Sequence, residues 1–539
     1  MSQPPKMSKL SDICTEFEMR LADELADEIQ QAKLGEARLS DSEHCPHDHL
    51  REIEHRLARS MLFLKARQNA CTCIGKLSDE LVVEVMQYCM LYEHSQPTFR
   101  LPSAFALCAK WRTIAINSPS LWSMIALPSP LNLVKLFQGR SGTCLLHVRI
   151  NNKNFIGNSM ESRQLGDRFR YLIPRIANLR IDWENDDPNS QSFSQFIDEH
   201  IGRKVFSSLK VLSMNDPRVQ GESEALTTPA LREFHFHGPP SHVLRVSVTH
   251  LVTLYYSWAS MTVEQVLDLL VEFPLLEHCH IQNSRPIFSA PPRNDRLPTS
   301  LNRLKSLSIN VFHVSNMRAI LKYLNYPASA NLSIETLLDP AGDTVTSVGF
   351  VEFVKSLLPT NFDEMATLWD FGRVVYTFAP VDKSISRLEI GFRLDVDAKV
   401  EIRGCHLFIN SEATRNVSRM HLRARTLGNT RWQIEVLRNL PLLTHIRLGA
   451  SENDFDNFLT ALEETPDVVC PLLRSLDCTG TEFNNARMKH FLNFRQEMGV
   501  GLHELKFTKG CCQPDTDGLS SLIPQLYELD PEPASTGIP

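Results

Sequence analysis

Several things are scarce in this chain of 539 residues, and each scarcity excludes a class of protein. Glycine supplies only 22 residues, which leaves few places where backbone could close around a phosphate. No Gly-x-x-x-x-Gly-Lys-Ser/Thr, Gly-x-Ser-x-Gly or His-Glu-x-x-His motif occurs, and Gly75-Lys76 lacks a glycine-rich lead-in. The sequence therefore predicts no enzyme and no cofactor. No uninterrupted apolar run reaches the roughly 18 residues a membrane helix needs, and the opening MSQPPKMSKLSDICTEFEMR has no apolar signal core. The expectation is no membrane partner and a cytoplasmic or nuclear location. Positive charge is not in excess, since the net charge is -7, and a nucleic-acid partner is not expected either. The 13 cysteines are odd in number, scattered and set in apolar patterns, which predicts reduced thiols rather than a disulfide framework. His44, Cys45, His47 and His49 crowd into HCPHDH without a paired Cys-x-x-Cys or a distant His-x-x-x-His. Cys71-x-Cys73 and Cys511-Cys512 fall equally short of four ligands, so no metal is predicted.

The rest of the composition is that of a folded protein: 42% hydrophobic and 22% charged, enough to bury a large core. Residues 1–68 carry apolar residues at helical spacing in EFEMRLADELADEIQQAKL and HLREIEHRLARSMLFLKAR. Two helices are expected there, the first either solvated or a short coiled-coil arm. In KLSDELVVEVMQYCM, Ser78 is placed as an N-cap, and Asp79 and Glu80 suit the positive helix end. Leu77 and Val82 can staple that end, while Leu81, Val85 and Cys89 share a stripe. LPSAFALCAKWRTIAI follows, with Ser103 as a cap and Leu101, Phe105, Cys108, Trp111 and Ala115 close to one face. NSPSLWSMI then restarts a turn, with Pro119 at its first position.

From about residue 130 a short pattern recurs, apolar-x-x-apolar-x-apolar. It appears as IANLRI, LKVLSM, LREFHF, LVTLYY, LEHCHI, LKSLSI, ISRLEI, VSRMHL, LTHIRL, LRSLDC and LHELKF, starting at residues 176, 209, 231, 251, 276, 304, 385, 417, 443, 473 and 502. Helical stretches such as TVEQVLDLLVEF and WQIEVLRNL fall between several units and are often closed by Pro-Leu-Leu. Apolar residues that alternate in this way give each unit one short strand, paired in parallel with its neighbours and covered by the intervening helix. Residues 310–384 break the rhythm, and the tail DPEPASTGIP reads as disordered.

Two resemblances follow. The order Leu-x-x-Glu-Leu, Cys-x-x-Trp-Arg, Ser-Pro-x-Leu-Trp over residues 74–127 resembles an F-box-like domain of the kind common in large fungal families. The repeats resemble a degenerate leucine-rich-repeat array. The expected fold is α/β: an N-terminal helical region (1–68), an F-box-like domain (69–128), a curved leucine-rich-repeat-like solenoid with a parallel sheet (129–527) and a disordered tail (528–539). The first resemblance implies docking to a Skp-type adaptor and, through it, to a cullin-RING ubiquitin ligase. The implied contact residues are Leu77, Ser78, Leu81, Val85, Trp111, Leu121 and Trp122. The chain departs from the family where it has Leu77-Ser78 in place of Leu-Pro. The alternative reading of 74–127 is a helical cap on the repeat body.

Strand alternation sends the residues between the apolar positions to the opposite, concave side. In early units these are Glu233, His235, His237, Tyr255, His278 and His280; in late units they are Arg419, His421, Arg423, His445 and Arg447. The late group predicts a basic patch for an anionic target, acidic or phosphorylated. The reading is thus a non-catalytic substrate receptor that holds an unidentified target protein for a ubiquitin ligase. Its alternative is an interaction scaffold whose F-box does not engage the ligase.

Overall fold

The computed structural model describes residues 46–93, 108–151, 159–183, 193–202, 205–215, 226–238, 250–258, 260–285, 296–337, 362–370, 373–380, 387–393, 412–424, 430–513 and 518–530. The expected first helix, His44, Cys45, Leu101, Ser103, Phe105 and the last residues of the tail lie outside these ranges. The chain divides into two compact units, one of residues 1–93 with 100–117, the other of residues 94–99 with 118–539.

The first unit contains helices α1 (Pro46–Cys71), α2 (Asp79–Glu93) and α3 (Ala109–Asn117), with a 3-10 turn at Ile74–Lys76. Thr72 shapes the turn: its hydroxyl donates to the Asn69 carbonyl at 2.6 Å and accepts from the Gly75 N–H at 3.0 Å. A Cβ at residue 75 would fall 1.9 Å from the Asn69 carbonyl oxygen, so only glycine fits there. Ser78 caps α2 as expected, its hydroxyl accepting from the Leu81 N–H at 3.4 Å. The Glu80 carboxyl is held below its ordinary pKa by its own backbone N–H and then by the Ser78 hydroxyl. Lys110 of α3 donates to the carbonyls of Gly75 (3.2 Å) and Leu77 (3.1 Å) and stands 3.8 Å from Asp79. That lysine ties α3 to the entry of α2. Among the described residues of this unit, Val82, Met86 and Met90 on α2 and Trp111, Ile114 and Ala115 on α3 are buried.

The second unit is a mixed α/β body built on one large sheet. Its strands are β1 (Met124–Leu127), β2 (Leu146–Asn151), β3 (Ile176–Asp182), β4 (Val211–Asn215), β5 (Glu233–His237), β6 (Thr253–Trp258), β7 (His278–Asn283), β8 (Ser306–His313) and β9 (Asn331–Leu337). They continue as β10 (Glu364–Asp370), β11 (Arg373–Ala379), β12 (Leu388–Arg393), β13 (Arg419–Ala424), β14 (His445–Gly449), β15 (Ser475–Asp477), β16 (Glu504–Thr508) and β17 (Gln525–Leu529). Helices α4 (Leu131–Arg140), α5 (Ser159–Leu172), α6 (Phe193–Phe196), α7 (Val263–Val271), α8 (Val314–Lys322), α9 (Thr430–Arg438), α10 (Glu452–Leu462) and α11 (Asn485–Glu497) lie between strands.

Strands β1 to β9 pair in chain order, all in parallel. The order then inverts: β9 pairs β12, β12 pairs β11, β11 pairs β10, and β10 pairs β13. Only the two pairings of β11 are antiparallel. Parallel order resumes from β13 to β17. This three-strand meander explains the broken rhythm. A strand flanked by antiparallel neighbours needs no crossover helix, so the repeat pattern lapses where β10 to β12 turn back on one another.

One row of side chains accounts for the core. In register from β1 to β9 stand Ile125, Val148, Leu179, Leu212, Phe234, Leu254, Cys279, Leu307 and Leu332. The row continues through Leu388, Phe378, Met365, Met420, Ile446, Leu476, Leu505 and Leu526. All are buried except Leu526, which is half-buried on the last strand. The first leucine of the pattern is buried as well, at Leu231, Leu251, Leu276, Leu443 and Leu473 among others, and each such burial stabilises the fold by about 1.5 to 3 kcal/mol. Two buried polar side chains bond the backbone of a neighbouring repeat. Asn283 accepts from the Met261 N–H at 2.9 Å, and Thr481 donates to the Leu448 carbonyl at 3.0 Å. Helix α7 starts with a capping box in which Thr262 and Gln265 bond each other's backbone N–H groups.

Three expectations need correction. Leu121 and Trp122 belong to the second unit rather than to the helical one, in a 3-10 turn that runs straight into β1; the boundary falls at residue 118, not 129. Six strands, β1, β2, β9, β10, β11 and β17, fall outside the eleven pattern matches. The tail begins later than 528, because β17 extends to Leu529.

Candidate interaction surfaces

One residue from the core row in each strand lies a second row whose fate is opposite. From β1 it reads Ala126, Arg149, Arg180, Ser213, His235, Tyr255, His280, Ser308 and Ser333. It continues as Glu389, Thr377, Ala366, His421, Arg447, Asp477, Lys506 and Tyr527. None of these residues is buried. Side-chain alternation thus separates the sheet into an apolar face and a polar one, and the polar face continues through all 17 strands, the meander included.

The residues expected on this face are all found there, in two groups. In the early group His235 stacks on Tyr255 with ring centroids 4.3 Å apart and planes 11° apart, and Tyr255 lies 5.8 Å from His280. An imidazole nitrogen of His235 bonds the Glu233 carboxylate at 2.6 Å, and one of His278 meets the Ser306 hydroxyl at 2.8 Å. His237 meets Trp258 edge-on at 5.8 Å. Burial holds the His280 imidazole below its ordinary pKa, against a hydrogen bond with the Gln282 side chain that works the other way. Adjacent strands therefore form a strip of rings, with Tyr255 42% exposed. Before the strip, Arg149 and Arg180 share the Asp182 carboxylate, at 2.7 and 3.3 Å.

In the late group Arg419 stands in register with His445, and His421 with Arg447. The patch is less basic than the two units alone imply. Arg447 lies 3.5 Å from the Asp477 carboxylate, and Lys506 pairs with Glu504 at 2.8 Å. Glu504 also accepts from the Ser475 hydroxyl, and Glu364 flanks Arg419 on its other side. The His445 pKa is lowered by burial first and then by the charge on Arg419. Asp477, Glu504 and Lys506 are the neighbours that the sequence reading left out, although LRSLDC and LHELKF show them by the same alternation rule.

The residues assigned to adaptor docking separate. On α2, Leu81 is 48% exposed and Val85 39%, beside Tyr88 at 69%; Leu77 is half-buried, and Ser78 is exposed. An apolar stripe therefore runs along the helix outside its buried stripe of Val82, Met86 and Met90. Trp111 is buried, a core residue of the first unit. Leu121 and Trp122 are buried in the second unit and offer no docking surface. Trp122 meets Phe137 edge-on at 5.1 Å, and the Arg140 guanidinium covers its ring at 4.4 Å. Among the described residues no cluster of His, Cys, Asp and Glu could hold a metal ion, and no helix is long and apolar enough to cross a membrane.

Neither a family model nor a curated protein matches the chain. Among solved structures it is similar to an internalin of Listeria monocytogenes, at 12% identity over 62% of this chain and 88% of that one, with a TM-score of 0.25. So low a score carries no weight, and the repeat architecture stands on the strand register alone.

Proposed function

We propose that the second unit is a non-catalytic protein-interaction scaffold whose polar sheet face receives a partner protein. The observation that carries this reading is the unburied row of 17 side chains beside a core row that is buried nearly throughout. A broad face of mixed polarity with an aromatic strip at one place and arginines at another suits a protein surface better than a small molecule, which takes a concave apolar pocket. Site-specific photo-crosslinking in cells tests it, with the crosslinker at Tyr255 or Arg447 on the face and at the exposed Glu272 beyond the end of α7. Discrete adducts from the face positions and none from Glu272 are expected. No adduct from either face position would remove the reading.

A finer reading, favoured by the exposed Leu81, Val85 and Tyr88 on α2, makes the chain an F-box-like substrate receptor. That stripe would dock a Skp-type adaptor and so deliver the partner to a cullin-RING ligase, by proximity rather than chemistry. Anchors of this kind cost about 2 kcal/mol or more when truncated, so Leu81→Ala with Val85→Ala should weaken adaptor binding by at least that. Ser78→Pro, which restores the family's Leu-Pro, should bind equally or more tightly. If the intact protein does not bind the adaptor at micromolar concentration, and neither adaptor nor cullin copurifies from cells, the scaffold reading stands without the ligase.

A further inference from the structure

We propose that the β13–β14 part of the polar face binds an extended acidic segment of a partner protein, its carboxylates at alternate positions meeting Arg419, His421 and Arg423. This deepens the scaffold reading and rests on it.

The late cations are not equivalent. Arg447 and Lys506 already have carboxylates of this chain at 3.5 and 2.8 Å. Arg419 and Arg423 are exposed, and no ion pair within 4 Å engages either among the described residues. Their in-register neighbours show why. Arg423 lies between Leu368 and Gly449, neither of which carries charge. His421 has Ala366 on one side and Arg447 on the other, and Arg419 has Glu364 and His445. The lowered pKa of His445 keeps that neighbour neutral near pH 7, so it adds no charge beside Arg419 there. Leaving two exposed guanidinium groups on one strand, each diagonal to Arg447, is mildly unfavourable in the free protein. An anionic partner relieves it.

The spacing decides which anion. Alternate residues on a strand stand about 6.6 Å apart, so Arg419 and Arg423 are separated by about 13 Å. A phosphate group is gripped by donors that converge on its oxygens, whereas these cations are strung out in a line. A second extended chain presents alternate side chains at the same period, and single carboxylates at that period meet single cations one by one. There is room for it. Ala366 and Gly449 flank the row, and even a Cβ added at Gly449 would meet nothing nearer than the Arg423 Cγ at 3.7 Å. Leu368, 40% exposed beside Arg423, adds apolar contact at the end of the row.

The test measures fluorescence anisotropy of a short labelled peptide alternating Ser and Glu, titrated with the full chain. One control peptide has the same composition with its Glu residues grouped; another carries a single phosphoserine among serines. The alternating peptide should bind, less well as salt rises, because a partly exposed ionic contact is screened over about 8 to 10 Å. Arg419→Ser with Arg423→Ser should weaken it by about tenfold or more, the scale set by losing two charge-assisted contacts. Arg419→Lys with Arg423→Lys should keep most of the binding, and Arg431→Ser, 91% exposed on α9, should change nothing. Unshifted melts of the serine variant confirm that folding is intact, and the lysine variant preserves the comparison if they shift. The proposal is overturned if the alternating peptide fails to bind below about 1 mM, if the serine variant binds it as wild type does, or if the grouped or phosphoserine peptide binds more tightly. Crosslinks from Tyr255 and Arg447 that persist alongside such a failure would leave the scaffold reading standing and remove only this one.

Discussion

Arg495 on α11 has no exposed surface, and among the described residues no carboxylate pairs with it. Its guanidinium instead donates to three carbonyls: Val500 at 3.1 Å, Val469 at 2.9 Å and Cys470 at 3.0 Å. Two of these precede β15 and the third precedes β16, so one side chain joins the approaches to two neighbouring strands. Burial lowers the Arg495 pKa from the ordinary arginine value. Hydrogen bonds to a charged donor contribute about 1.5 to 3 kcal/mol each, and together they offset the several kcal/mol that desolvating the group costs. Arg495→Met removes the desolvation cost but leaves the three carbonyls without this donor, for a net loss of about 2 to 3 kcal/mol. Arg495→Lys retains a buried charge and loses the planar fork that reaches all three acceptors, so it should lose more, about 3 to 4 kcal/mol. The assay is urea denaturation with amide exchange read at β15 and β16, since repeat bodies need not unfold as one cooperative unit. A lysine variant more stable than the methionine variant, or both within about 0.5 kcal/mol of wild type, would refute the reasoning.

Trp122→Ala should destabilise the second unit by about 3 to 5 kcal/mol, the usual cost of emptying a buried tryptophan site; a loss below about 1 kcal/mol in denaturant melts would mean the ring is not core. Thr262→Ala breaks the capping box of α7 and should cost about 1 kcal/mol, visible as faster amide exchange in its first turn. The imidazoles of His280 and His445 have lowered pKa values in the folded state, so below the unfolded value near 6.5 the unfolded chain binds more protons. Their contribution is complete above about pH 6.5 and is lost as pH falls through and below it. Melts repeated from pH 7.5 down to 5 should show His280→Gln losing less stability than wild type over that interval.

Much of the repeat body is legible in the sequence because one short pattern fixes one strand. Each of the eleven matches coincides with a strand of the large sheet, since a leading aliphatic residue and two alternating apolar residues put three side chains on one side, all three buried in units such as LREFHF, LVTLYY and LTHIRL. Two of the strands missed, β1 and β2, carry the pattern in WSMIAL and LLHVRI, and the others lack some part of it. Strand β1 has the buried Trp122 in the leading place ahead of Ile125 and Leu127, and β9 has the exposed Ser329 where the leucine would stand. Strand β11 pairs with antiparallel neighbours on both sides and so follows no repeat. The boundary near residue 118 was misplaced for a related reason. Ser118-Pro119 starts a turn in any context, and nothing in SPSLW says whether its tryptophan packs on the helices before it or on Phe137 after it.

The polar face was legible residue by residue but not as a charge distribution. Alternation places Arg419, Arg423 and Arg447 on one side of their strands with no knowledge of the fold, and read unit by unit they look alike. Charge on a sheet, however, is settled across strands, between residues one repeat apart in the chain and about 4.8 Å apart in space. Arg447 acquires Asp477 from the next unit, 30 residues downstream in LRSLDC, and is largely spoken for. Arg423 looks the same in the sequence, yet its neighbours in register are Leu368 and Gly449, and among the described residues no carboxylate reaches it. The difference between a solvated arginine and one that still seeks an anion thus lies in the register, and here the register includes an inversion. Glu364 comes to lie beside Arg419 because β10, not β12, is the strand next to β13. Had the meander run in chain order with the core row kept in register, Arg387 and Gly391 would have flanked the arginines instead, and no reading of single repeats could have told the two arrangements apart.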